Sequence, residues 1–366
     1  MSRRSAEVLA DKPSWRPQGG LLLEVDDLHV EFRTREGTAK AINGVSFDLH
    51  EGRTLAILGE SGSGKSVTAQ AIMGILDSPP GFITGGEVRY CGEDLLSMDE
   101  ERRRATRGPE ISMVFQDALS SLNPVFPVGW QIGEMFRVHR GMNKSDALAQ
   151  AVRLMERVQI PGARQRVNAY PHQFSGGMRQ RIMIAMAIAL EPAVLIADEP
   201  TTALDVTVQA QIMRLLKELQ DERKMGLILI THDLGVVADV ADRIAVMYAG
   251  RIVEDADVFE VYGRPGHPYT KGLLESIPRL DQKGRELAAI GGLPPNLMRI
   301  PVGCSFNPRC TYAQDICRTD PAPALRPVGH RRQAACHFSE MVLRQSPELM
   351  VTQPGHQIEA EREELR

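Results

Sequence analysis

The sequence predicts an α/β fold built on a phosphate-binding loop. It has a parallel-sheet core, an antiparallel β layer, a helical subdomain and a cysteine-rich C-terminal extension. Three observations carry that prediction. "RTLAILGESGSGKSVTAQAIMGIL" reads as strand, glycine-rich loop, helix, and Gly59, Gly64, Lys65 and Ser66 fit G-x-x-x-x-G-K-[ST]. Two further apolar runs, "AVLIADEP" and "MGLILITHD", have the composition of buried strands. Between them Val208, Ile212, Leu215, Leu216 and Leu219 mark an amphipathic helix, so strands and helices alternate around the loop.

The elements follow in order. Residues 1–20 hold no apolar core region, so they read as a flexible lead and not as a secretory signal. "LLLEVDDLHVEF" and "AINGVSFDLHEG" alternate like half-buried strands and form the antiparallel layer. In the loop, glycines let backbone N–H groups approach an anion closely, and the helix start adds free N–H groups and the positive dipole end. Ser61, Gly62 and Ser63 complete the loop and Val67 opens the helix. Lys65 can reach the terminal phosphates of a nucleotide, and the Ser66 hydroxyl can bind Mg²⁺. The competing reading, a glycine-rich turn capping an ordinary helix, does not explain why strand and helix are both in place.

Residues 94–190 read as mostly helical, with loops at "DSPPG" and "LNPVFPVG". Gln116 ends a short apolar run, and its amide can bind Mg²⁺ or the attacking water. Ser175, Gly176 and Gly177 precede the helix "MRQRIMIAMAIAL", a second anion-binding helix start. One nucleotide does not readily use both starts, whereas a dimer places the second over the partner's nucleotide. Asp198 and Glu199 end a strand and suit the two needs of nucleotide hydrolysis, Mg²⁺ held through water and a base for the attacking water. His232 ends the next apolar strand, where it can touch a γ-phosphate and orient water, although a lone histidine is more often a packed or surface residue. "RIAVMYAGRIVEDA" is a hairpin turning at Ala249–Gly250, and "VYGRPGHPYT" marks a boundary.

The chain has 366 residues and a net charge of −4, so it presents no global basic field for nucleic acid. No apolar run approaches the roughly 20 residues of a membrane span. Cys91 stands alone, a small apolar residue at a strand or turn. Cys304, Cys310, Cys317 and Cys336 are spaced C-x5-C-x6-C-x18-C. Disulfides need an oxidising compartment, zinc sites favour closer pairs, and four thiolates can also hold an iron–sulfur cluster. A chance cluster is the bland reading, and His330 and His337 are possible substitute ligands. The residues alone leave these readings open. The segment from Gly284 to His337 has many prolines and few apolar residues in any periodic pattern, so a cross-link is expected to hold it together. In sequence it is remote from the phosphate loop, so the two are expected to act independently.

In order, the motifs are "GESGSGKS", Gln116, "FSGGM", "VLIADE", "TALD" and His232. From about residue 21 to 340 the chain thereby resembles the nucleotide-binding subunit of ATP-binding-cassette (ABC) transporters. The resemblance implies a nucleotide-binding domain at 21–263, with the helical subdomain at about 94–190, an extension at 264–340 and a polar tail at 341–366. It implies a head-to-tail ATPase dimer holding ATP between the loop of one subunit and Ser175, Gly176 and Gly177 of the other. Mg²⁺ would be held by Ser66, Gln116 and, through water, Asp198. Glu199 and His232 would be catalytic, Asp205 would belong to the D-loop, and Phe32 would stack on adenine. The signature departs from the family's usual Leu-Ser-Gly-Gly-Gln, and Thr202 replaces the usual serine. Neither change removes the serine hydroxyl or the glycine N–H groups.

"QDALSSLNP", "GHPYTKGLL" and "CSFNPRC" are similar to the oligopeptide and dipeptide importer ATPases, whose relatives include nickel and antimicrobial-peptide importers. That narrower resemblance implies a second ATPase, usually a non-identical sister chain with a second copy of this one as the alternative, two membrane permeases and an extracytoplasmic binding protein. It implies a peripheral position on the cytoplasmic face of the inner membrane. It also implies a [4Fe–4S] cluster on the four cysteines, with zinc as the alternative. Two rivals fare worse. "NKSD" at Asn143–Asp146 matches a guanine-reading motif, but the D-x-x-G at Asp281–Gly284 comes after it, not before, and the stretch reads instead as a helix with Ser145 or Asn143 near its cap. A soluble ABC protein of DNA repair or the ribosome would carry sustained heptads or two cassettes, and neither is present.

Overall fold

A computed structural model describes residues 20–117, 121–202, 204–276 and 290–345. Most of the expected flexible lead and polar tail lies outside the described residues.

Strands β1 (Leu21–Thr34) and β2 (Gly37–His50) pair antiparallel. β3 (Thr54–Leu58) leaves that layer and is buried at every position. β4 (Gly81–Tyr90) and β5 (Glu93–Asp94) return to it, giving the sheet order β2-β1-β4-β5. The remaining strands are β6 (Ile111–Val114), β7 (Val194–Asp198), β8 (Gly226–Thr231), β9 (Arg243–Tyr248), β10 (Arg251–Asp257), β11 (Arg326–Pro327) and β12 (Arg332–Ala334). With β3 they form an eight-stranded sheet in the order β11-β12-β10-β9-β3-β8-β7-β6. The run β9-β3-β8-β7-β6 is parallel, and β10, β11 and β12 extend it antiparallel.

The central strands are apolar throughout because both sheet faces are covered. Successive residues divide between two cores, as the strand period of 2 requires. Leu55, Ile57, Ile196, Ile228 and Ile230 pack toward the antiparallel layer and the helix Lys65–Met73. Ala56, Leu58, Leu195, Ala197, Leu227 and Leu229 pack toward the opposite core, with the helices Val128–Arg140, Lys144–Arg157, Gly176–Ala187 and Val206–Arg223.

Three expectations need correction. The segment 94–190 is mostly but not wholly helical: between the helices Glu100–Thr106 and Val128–Arg140, Ile111–Val114 is the edge strand of the core sheet. Four residues are too few to show a period, so this strand left no pattern to read. The C-terminal extension is not set apart from the sheet, since β12 pairs with β10 and β11 pairs with β12. Its last helix, Ser339–Gln345, runs across the expected boundary at 340/341. As expected, Asn143 caps a helix, with its Oδ1 accepting from the Asp146 N–H at 2.9 Å. That role accounts for "NKSD" without guanine recognition.

The extension is anchored by charge and aromatic packing. Glu254 is fully buried and accepts from the N–H groups of Gly266 and His267 at 2.6 and 2.9 Å. Arg332, also buried, lies 3.5 Å from the same carboxylate. The helix Pro268–Glu275 starts there, and the His267 Nδ1 accepts from the Tyr269 N–H at 3.1 Å. Phe306 then packs on Tyr248 and Tyr269 with ring centroids 5.2 and 5.4 Å apart. These contacts hold the segment where a cross-link alone was expected to do so. Among the described residues no helix is long and apolar enough to cross a membrane.

Burial pushes the His267 imidazole down to about 3 from its ordinary 6.5. The folded protein therefore holds it neutral while the unfolded chain protonates it, so stability present above pH 6.5 is lost as pH falls toward 3. His267→Asn keeps an acceptor for Tyr269 and removes the titration. Equilibrium unfolding between pH 7 and 5 should show the wild type losing up to about 1.4 kcal/mol more per pH unit than this variant below pH 6.5. Parallel slopes would show that His267 does not govern the acid response.

Candidate functional site

The site lies where parallel strands end. Leu58 pairs with Thr231, Asp198 with Ile230 and Val114 with Ala197, so β3, β8, β7 and β6 finish level with one another. Ligands of open α/β sheets bind at this edge, beyond the carboxyl ends of the strands. β3 delivers the phosphate loop, β7 delivers Asp198 and Glu199, β8 delivers His232, and β6 leads into Gln116.

The loop is wedged against backbone. A Cβ on Gly59 would sit 2.3 Å from the Met247 carbonyl oxygen, and one on Gly64 would sit 2.6 Å from that of Ala41. Only glycine fits at either position. The hairpin turn after β9 props the loop from below: the Gly250 N–H donates to the Ser63 carbonyl at 2.9 Å, and the Asn43 N–H donates to the Gly250 carbonyl at 2.8 Å. Ser61 and Gly62 are exposed, whereas the Ser63 hydroxyl is buried with no hydrogen-bond partner among the described residues. Lys65 is 5% exposed, and its Nζ donates to the carbonyls of Gly59 and Glu60 at 2.8 and 3.0 Å. A loop with an orphaned hydroxyl and a lysine folded onto its own carbonyls has donors ready for a polyanion. Burial lowers the Lys65 pKa, an effect that Glu199, Asp198 and Glu60 oppose.

The Ser66 hydroxyl donates to Asp198 Oδ1 at 3.0 Å. Burial raises the Asp198 pKa, the Ser66 hydrogen bond opposes that rise, and the neighbouring Glu199 adds to it. A divalent cation between these oxygens would relieve the cost of a buried carboxylate. Glu199 adopts φ +45°, the left-handed region, with its N–H donating to the Ile230 carbonyl at 2.8 Å. In a continuing strand, adjacent carboxylates would point to opposite faces. The turn at Glu199 breaks that alternation. Glu199 Oε2 accepts from Gln116 Nε2 and from Thr202 Oγ1, both at 2.8 Å, and Oε1 lies 3.4 Å from His232 Nδ1.

The remaining candidates stand apart from this centre. Val67 is half-buried and packs against the core. Phe32 is half-buried on β1 and packs against the same core. Asp205 caps the helix Val206–Arg223 by accepting from the Val208 N–H at 2.9 Å. Ser175 caps the helix Gly176–Ala187. A Cβ on Gly177 would lie 2.6 Å from Val208, so the two helix starts pack together. Ser175 and Gly176 are exposed.

Sequence reading missed Thr202 as a partner of Glu199, and missed Glu60 altogether. Glu60 holds Arg309 in a two-pronged ion pair at 2.6 and 2.9 Å, and its N–H donates to the Tyr269 hydroxyl at 2.9 Å. The sole hint was one charge in a loop of small residues. These contacts overturn the expectation that the cysteine segment and the phosphate loop are independent.

Cys304, Cys310, Cys317 and Cys336 line one small pocket with His267, Phe306 and His337. His330 is exposed and does not line it. Burial pushes the Cys310 and Cys336 thiols up to about 11 and about 12. The Phe338 N–H donates to Cys336 Sγ at 3.3 Å. Among the described residues no three His, Cys, Asp or Glu side chains are placed to hold a metal ion.

Comparison with known proteins agrees with this geometry. Residues 42–202 match the family model for the ABC transporter, and residues 253–317 match that for the oligopeptide/dipeptide transporter C-terminal region. The chain is 50% identical over 329 residues to the oligopeptide transport ATP-binding protein OppD of Salmonella typhimurium, covering 90% of this chain and 97% of that protein. It is 51% identical over 310 residues to the dipeptide transport ATP-binding protein DppD of Bacillus subtilis, covering 84% and 92%. The ATP-binding cassette MJ0796, solved as a dimer in a post-hydrolysis state with ADP and Pi, superposes with a TM-score of 0.59 at 27% identity. That match covers 65% of this chain and 99% of that one. The chain therefore belongs to the ATPases of the ABC transporter family, in the branch that carries the oligopeptide/dipeptide transporter C-terminal region.

Proposed function

We propose that this chain hydrolyses ATP to power import of oligopeptides or dipeptides, as one half of a head-to-tail ATPase dimer. One observation carries the reading: level strand ends bring Lys65, Ser66, Asp198, Glu199, Gln116 and His232 to one edge of the sheet. The C-terminal match and the relatives' names support the peptide class. The dimer is docked on two permeases at the cytoplasmic face of the inner membrane and served by an extracytoplasmic binding protein. Its second ATPase is a sister chain.

The loop N–H groups and Lys65 bind the phosphates, and Phe32 stacks on adenine. Ser66, Asp198 and Gln116 are the residues that would hold Mg²⁺, which when bound offsets phosphate charge. Glu199 is the base. Its Oε2 already accepts from Gln116 and Thr202, which leaves Oε1, beside His232, for the proton of the attacking water. Ser175, Gly176 and Gly177 close over the partner's nucleotide, with Asp205 fixing the adjoining helix.

We read the cysteine pocket as a [4Fe–4S] site, with zinc as the alternative. The four cysteines meet at one pocket, and backbone N–H donation to Cys336 suits a bound thiolate.

Reconstituted in vesicles with its permeases and binding protein, the complex should take up peptide with ATP. Glu199→Gln should keep ATP binding and lose about 10²-fold or more in single-turnover hydrolysis. Hydrolysis near wild type would move the base elsewhere, and hydrolysis indifferent to peptide would remove the peptide assignment. Anaerobically purified protein should be brown, with iron and sulfide near about four each per chain. Cys310→Ser with Cys317→Ser should bleach it. Stoichiometric zinc, or no metal, would overturn the cluster.

A further inference from the structure

We infer that Arg309 is a positioning residue for the phosphate loop: it neutralises Glu60 and fixes the loop in its nucleotide-binding shape. The inference rests on the nucleotide-site reading above and extends it to a residue 249 positions away in the chain. Glu60 is the second residue of the loop, and all of its polar groups are engaged. Its carbonyl accepts from Lys65 Nζ at 3.0 Å, its N–H donates to Tyr269, and its carboxylate is gripped by both prongs of Arg309. Two of those three engagements come from the C-terminal region.

The guanidinium is held in place from its other side. Its Nε donates to the Gly291 carbonyl at 2.9 Å, and it lies 6.0 Å from the centroid of Phe306 and 5.8 Å from that of Tyr248. The side chain is 5% exposed. A two-pronged arginine–carboxylate pair whose guanidinium is buried holds a fixed orientation, unlike a surface ion pair. Its chemical sense follows from the loop's ligand. A bare carboxylate in a loop that receives a triphosphate repels it, and the repulsion is strong where water is sparse. Arg309 cancels that charge. It also pins the peptide unit whose carbonyl meets Lys65. Because Cys310 follows directly and lines the cysteine pocket, the same contact joins that pocket to the nucleotide.

The test is ATP affinity, measured by titration on the full chain. Arg309→Gln should weaken ATP about tenfold, a usual size for coupling between sites. Glu60→Gln added to it should restore most of the loss, because no carboxylate is left to neutralise. A merely structural role for Arg309 predicts no such rescue. Affinity within twofold of wild type in Arg309→Gln, or a double variant no better than the single, would overturn the inference. A wild type that does not bind ATP would instead defeat the nucleotide-site reading. Hydrogen exchange on the unaltered protein keeps the test open if the variants do not fold. Saturating ATP should slow exchange in residues 304–310, since coupling is reciprocal. Unchanged exchange there would also overturn it.

Discussion

A phosphate loop must hold a line of backbone N–H groups in one shape with almost no side chains of its own to do so. The rest of this structure depends on that constraint. Its solution here is to press the loop against neighbouring backbone so closely that Gly59 and Gly64 admit no Cβ. The walls are carbonyls from β2 and β9, two strands of different sheets. The Ala249–Gly250 turn bonds to both β2 and Ser63, so the antiparallel layer is part of the loop's support. The sheets therefore cannot shift against each other without deforming the anion site.

The chemistry beside the loop depends on a second local constraint, the left-handed backbone at Glu199. Without it, two consecutive carboxylates could not serve one centre. With it, Asp198 faces Ser66 while Glu199 faces Gln116, Thr202 and His232. The two carboxylates are thus kept adjacent but separately partnered. This strain at a non-glycine residue falls where an enzyme has reason to hold it.

Much of this was legible in the sequence because the signals were local. The glycine spacing, the apolar runs ending in acids and the capping Asn143 each act within a few residues. The strand Ile111–Val114 was missed because a short edge strand carries no period. The place of the extension in the core sheet was missed because its strands are two and three residues long. The engagement of Glu60 was missed for a different reason. Arg309 and Tyr269 meet it only after the whole chain has folded, and a charge in a loop does not name its distant partner. The caps at Ser175 and Asp205 show the converse: each has a structural duty that a motif reading alone would not assign.

The ion pair between Glu60 and Arg309 also has a meaning in the order of synthesis. The ribosome releases the loop long before the arginine that steadies it, 249 residues later. At about 5–20 residues per second, a growing chain passes roughly 12–50 s without that clamp. During that interval the strands around the loop can assemble, but the loop still carries an uncompensated carboxylate. A truncated subunit is left in the same condition. Under the inference drawn for Arg309, full competence to hold nucleotide comes only with the last part of the chain, and an unfinished subunit would be a poorer competitor for ATP.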